Sequence, residues 1–125
     1  MKRWSGLTPM LQAVDVSETI DFYTAVLGFT LDAKYPETAP TWCSLVRGPI
    51  HLMFFAAEAV NQADVTPPAM SGVLYVYVDD VLDVHDELKL KTDVLWGPQA
   101  MPYGFLEFAI RECNGYTVSF GQRIH

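Results

Sequence analysis

Over residues 7–14 apolar side chains dominate, and Thr8, Met10 and Gln12 fall on one parity. That is the period of a strand, one that accommodates Pro9 because the proline stands near its start. The period then changes. Ser17 reads as an N-cap, Glu18 and Asp21 suit the first turn, and Ile20, Tyr23 and Leu27 recur at spacings of three and four until Gly28 ends the run, which predicts a helix. Three strands are expected next, over 29–35, 41–46 and 50–55. Pro36-Glu37-Thr38-Ala39-Pro40 separates the first two, and Arg47-Gly48-Pro49 the second two. The unit is β-α-β-β-β. Residues 57–71 show no clear period and read as a linker, with a helical turn expected over 57–63.

After the linker the same order returns. Residues 73–78 read as a strand and 80–91 as a helix with Val81, Val84, Leu88 and His85 inward. Strands follow over 94–96, 105–111 and 116–120, the last pair joined at Glu112-Cys113-Asn114-Gly115, where Asn-Gly is a hairpin signal. Val14-Asp15 and Val78-Asp79 each precede a helix and lie 64 residues apart. Sequence identity between the halves is slight, so the repeat is one of element order. The expected fold class is α+β: paired β-α-β-β-β modules, about 7–56 and 72–121, in a single domain over 1–125. Their mixed sheets curve into an open cup with helices on the outer face.

Composition narrows the possible partners. The chain has 125 residues, 50% apolar and 13% aromatic, enough to build a core, whereas disordered chains are poor in aromatics. A net charge of −7 repels phosphate backbones and anionic lipid, so neither nucleic acid nor membrane is expected as a partner. Cys43 and Cys113 make no disulfide framework. The N-terminus lacks the apolar run of a signal peptide, and no stretch approaches the roughly 18 apolar residues of a membrane span, so a soluble cytoplasmic protein is expected.

Several local motifs occur together. Val14-Asp15-Val16, Asp21-Phe22-Tyr23 and Val26-Leu27-Gly28-Phe29 are followed by residues 72–79, Tyr103-Gly104, Glu107-Phe108 and Asn114-Gly115-Tyr116. In this order and spacing they resemble the vicinal oxygen chelate superfamily, which includes glyoxalase I, extradiol dioxygenases, fosfomycin-resistance transferases and bleomycin-resistance proteins. The resemblance implies a homodimer with ligand pockets in the cups. In metal-dependent members it implies ligands on the first, fourth, fifth and eighth strands. Those positions fall on Thr8, Met53, Val73 and Ser119, none a carboxylate or imidazole. No metal or other cofactor is therefore expected. His51, on the parity of Met53, is the nearest substitute, with Glu107 as companion; two donors fall short of the three protein ligands usual in a catalytic site. Helix packing accounts for His85 and tail solvation for His125.

Alternation assigns the cup lining, with Trp96 and Tyr103 placed near its rim. The ligand-binding candidates are Met10, Gln12, Trp42, His51, Met53, Phe55, Tyr75, Tyr77, Trp96, Tyr103, Glu107 and Ser119, with Thr8, Ser44, Val73 and Thr117 on the same parities. Rings and thioethers with few polar points suit a flat organic ligand. Glu107 is the one catalytic candidate: in an aromatic cup its carboxyl would serve as acid or base, or it would meet a cationic ligand, or pair with Arg111 on the same face, or meet solvent at the dimer boundary. Cys43 reads as a small apolar core residue, and no Ser-His-Asp order, phosphate loop or zinc spacing appears. The expected function is metal-independent binding of an aromatic or amphipathic compound, resembling bleomycin-resistance proteins, with antibiotic resistance by sequestration. The alternatives are a metal-dependent glyoxalase-type lyase, isomerase or dioxygenase, and a non-catalytic dimerisation or protein-interaction domain.

Overall fold

Each helix begins where an aspartate can cap it. In the computed structural model, which describes residues 3–57 and 68–125, Asp15 and Asp80 hold extended backbone and their carboxylates accept from Glu18 N (3.0 Å) and Asp83 N (3.1 Å). This satisfies an amide that the first turn leaves without a partner. The cap expected at Ser17 thus moves to Asp15, because Val16, buried against the sheet, is already helical. The first helix, α1, spans Val16–Ala25, and the second, α2, Val81–Leu88.

The eight strands are β1 (Met10–Ala13), β2 (Thr30–Tyr35), β3 (Trp42–Arg47), β4 (Ile50–Ala56), β5 (Leu74–Tyr77), β6 (Asp93–Ala100), β7 (Phe105–Arg111) and β8 (Thr117–Arg123). They form two open, curved four-stranded sheets ordered β1-β4-β3-β2 and β5-β8-β7-β6. In each, the helix crosses between the first strand and a three-strand meander, so the meander's last strand returns parallel to the first: β1 beside β4 and β5 beside β8. The expected α+β fold of two β-α-β-β-β modules, helices on one sheet face, is the observed one. The chain divides into two compact units at 67/68. The expected linker and helical turn fall largely on 58–67, outside the described residues.

In the first unit α1 covers the face of β2, β3 and β4 that carries Cys43, Leu45, Leu52 and Phe54. Tyr23 anchors it, its ring 5.1 Å from Phe54 and 5.2 Å from Phe29. Burial raises the Cys43 thiol to about 11, as expected of a core cysteine. In the second unit α2 covers Phe108, Ile110, Val118 and Phe120. Phe108 stacks on Phe120 at 4.9 Å, and His85 meets it edge-on at 5.2 Å.

Strand ends differ from the pattern for identifiable reasons. Pairing of β1 begins at the Pro9 carbonyl, which accepts from Met53 N (3.0 Å); proline offers no N–H of its own, so the strand proper starts at Met10. Strand β6 continues through Pro98 because it is an edge strand and breaks register on either side of Trp96. Gly97 makes the second break possible. Its φ is +87°, and a Cβ there would lie 2.5 Å from the Glu107 carbonyl and 2.8 Å from Phe108 Cα. Among the described residues no helix is long and apolar enough to cross a membrane.

Candidate functional site

The face of each sheet opposite its helix carries the residues that alternation assigned to the cup. In the second unit the register sets Tyr75 beside Ser119, Tyr77 beside Gly121, and Glu107 beside Gly121 from the other side, with Phe105 beside Arg123. Gly121 thus separates a tyrosine strand from a carboxylate strand. Having no side chain, it lets the Tyr75 ring lie across β8; a Cβ on Gly121 would overlap that ring. The Tyr75 hydroxyl then donates to Glu107 Oε2 at 2.5 Å. Tyr103, from the turn before β7, donates to the same carboxylate at 2.9 Å.

Glu107 is only 3% exposed, yet it makes no ion pair among the described residues. A buried carboxylate without a cation must be held by hydrogen-bond donors, here two phenols. The expected pairing with Arg111 does not form: that guanidinium turns to the hairpin and reaches Gly115 O at 3.5 Å. The phenols are affected in turn. Burial, then the hydrogen bond and negative charge of Glu107, push Tyr75 well above the ordinary tyrosine value. The hydrogen bond to Glu107 is the main cause raising Tyr103. Both remain protonated donors at neutral pH.

Rings surround this carboxylate. Tyr75 and Tyr77 lie 5.2 Å apart edge to face, and Phe105 lies 6.4, 6.2 and 6.2 Å from Tyr75, Tyr77 and Tyr103. Tyr77 is 76% exposed, so much of this aromatic surface is open to solvent. A cleft of about 280 Å³ opens beside it, lined by Tyr77, Val78, Asp79, Phe105, Gly121, Gln122 and Arg123. Trp96 shares this face further along, opposite Ala109.

In the first unit Met10 pairs with Met53, Gln12 with Phe55, and Trp42 with Phe55, so these candidates share one face with His51. A polar chain crosses that face. Thr8 Oγ1 is 3.2 Å from His51 Nδ1, His51 Nε2 is 2.5 Å from Ser44 Oγ, and Ser44 donates to Asp32 Oδ2 at 3.0 Å. Every group is satisfied when Thr8 donates to Nδ1 and Nε2–H donates to Ser44. The carboxylate meets the serine and not the imidazole. The three residues therefore lack the order in which a carboxylate orients a histidine to activate a serine.

Sequence reasoning missed Asp32, Phe105, Gly121 and Arg123. Asp32 sits at a register break in β2, where alternation fails. Phe105 and Arg123 meet because β8 runs three residues past its expected end at Phe120, a length set by pairing with β7.

The positions where resemblance implies metal ligands offer two hydroxyls, a thioether and an alkyl group. Thr8 is committed to His51, and Met53 lies opposite Met10. Among the described residues no three His, Cys, Asp or Glu side chains gather closely enough to hold an ion. This donor set does not fit a divalent cation.

Comparison with known proteins agrees with the fold. The model of the Glyoxalase/Bleomycin resistance protein/Dioxygenase superfamily matches residues 8–120. A bleomycin-binding protein from Streptomyces verticillus, solved with copper(II)-bleomycin, is 25% identical with a TM-score of 0.69, covering 96% of this chain and 97% of that one. An antibiotic-binding protein from a Streptomyces species is 18% identical with a TM-score of 0.75, covering 98% of each chain. A lactoylglutathione lyase from Agrobacterium tumefaciens is 23% identical with a TM-score of 0.72, covering 97% of this chain and 96% of that one. Among curated protein sequences, none matches the chain.

Proposed function

Since the chain belongs to the glyoxalase/bleomycin resistance protein/dioxygenase superfamily, we propose that it is a metal-independent binding protein for an aromatic or amphipathic small molecule, acting by sequestration. The observation that carries this reading is the solvent-open ring surface of Tyr75, Tyr77, Phe105 and Tyr103 around a buried, hydrogen-bonded carboxylate, next to a cleft. Rings bury large area at small entropic cost, and a few fixed polar groups set a ligand's orientation. The binding and antibiotic-binding relatives support it, as does the poor donor set at the metal positions.

The full reading is a cytoplasmic homodimer in which the modules 7–56 and 72–121 serve one ligand-binding domain, with the ligand in the dimer cleft. Met10, Gln12, Trp42, His51, Met53 and Phe55 are the ligand-facing residues of the first sheet. Tyr75, Tyr77, Trp96, Tyr103, Glu107 and Ser119 are those of the second. Glu107 acts as an anchor and not as a catalyst. Equilibrium dialysis tests metal independence: stoichiometric tight uptake of Ni²⁺, Zn²⁺, Fe²⁺ or Mn²⁺, abolished in His51→Ala, would overturn it and favour the glyoxalase-type enzyme. Light scattering that finds only 14.0 kDa particles would remove the dimer.

A further inference from the structure

We infer that the ring cluster over Glu107 is a cage for an organic cation, a protonated or quaternary amine carried on an aromatic or amphipathic scaffold. This deepens the small-molecule reading above and rests on it. The first observation is that the cage already holds a cation: the Arg123 guanidinium sits 4.8 Å from the centre of the Phe105 ring, a cation–π contact. The second is a local imbalance of charge. Asp79 and Arg123 both line the cleft, and Glu107 lies buried beside it under the hydroxyls of Tyr75 and Tyr103, so this corner of the unit carries two carboxylates to one guanidinium. Among the described residues Arg123 makes no ion pair that would take it elsewhere, and Arg111 is turned away to the hairpin.

The third observation is the chemistry of the walls. The Phe105 ring lies within 6.4 Å of those of Tyr75, Tyr77 and Tyr103, and Tyr75 and Tyr77 lie 5.2 Å apart, so the walls present π-faces and edges. Both hydroxyls nearest the floor donate to Glu107, which makes those rings richer in electron density. Faces of this kind attract an alkylammonium and gain nothing from an anion. The cleft of about 280 Å³ is just smaller than the usual range of ligand pockets, roughly 300–1,000 Å³. It takes the cationic head group and leaves the rest of a larger ligand outside. An incoming cation displaces Arg123 from Phe105.

The test titrates three probes into the full chain: benzyltrimethylammonium, neutral benzyl alcohol and anionic benzenesulfonate. The aromatic NMR resonances of Tyr77 and Phe105 are followed. The expected result is saturable binding of the cation, at least about tenfold tighter than of the neutral probe. Two variants should move its affinity in opposite directions. Glu107→Gln weakens it by about tenfold, and Arg123→Gln strengthens it by ~3-fold, because the resident competitor is gone. If Glu107→Gln does not fold, Arg123→Gln alone decides. Neutral and cationic probes binding equally, or Arg123→Gln weakening the cation, would overturn the cage and leave the small-molecule reading intact. No saturable shift with any probe would overturn both.

Discussion

Alanine at position 121 tests the arrangement of the site directly. The Cβ it adds would overlap the Tyr75 ring, and the three nearest atoms all belong to that one side chain. The ring must swing off β8, and its hydroxyl leaves Glu107. A hydrogen bond to a charged group contributes about 1.5–3 kcal/mol. Displacing a packed ring adds about 1 kcal/mol or more. Against this, Gly→Ala in a strand gains roughly 0.5–1 kcal/mol by restricting the unfolded chain. Tyr103 still holds the carboxylate, so it is not left without a donor. The net expectation is a loss of about 2 kcal/mol in urea unfolding followed by circular dichroism at fixed protein concentration. In a Tyr75→Ala background the obstruction is absent, and Gly121→Ala should be neutral or slightly stabilising. The coupling between the two sites is therefore about 2–3 kcal/mol. An equal cost in both backgrounds would show that Gly121 serves the backbone and not the tyrosine.

Other outcomes follow from the same geometry. Gly97→Ala meets the backbone of β7 at a positive φ, where nothing flexible can yield, and should cost about 3 kcal/mol by thermal unfolding; a loss under 1 kcal/mol would contradict that placement. In alkaline titration followed by ultraviolet absorbance, Tyr75 and Tyr103 should ionise above the ordinary value near 10, and Glu107→Gln should lower both. Because the folded state holds these protons more tightly than the unfolded chain, their contribution to stability is complete below pH 10 and falls as pH rises beyond it. An aromatic disulfide reagent should label exposed Cys113 in the native protein and reach buried Cys43, raised to about 11, only on unfolding. Asp15→Ala and Asp80→Ala should each cost about 1 kcal/mol, whereas Ser17→Ala should change denaturant stability little.

What could be read from the chain was whatever depends on near neighbours. Alternation placed Met10, His51, Met53, Phe55, Tyr75, Tyr77, Glu107 and Ser119 on the open faces, since each Cβ direction follows from the residue before it. The helix period and Gly28 fixed α1 to within a few residues, although the capping role went to Asp15, because burial of Val16 decides where the first turn starts. The partners of those residues were decided by pairing between distant strands. Tyr75 and Glu107 are 32 residues apart, and they meet only because β8 lies between β5 and β7 and carries a glycine at the crossing. The bulge that turns Asp32 toward Ser44, and the three extra residues that bring Arg123 onto Phe105, depend equally on a neighbouring strand. Residue order sets which face a side chain occupies; only the folded sheet sets which other side chains share it, because hydrogen-bonded register is a property of two strands and not of one.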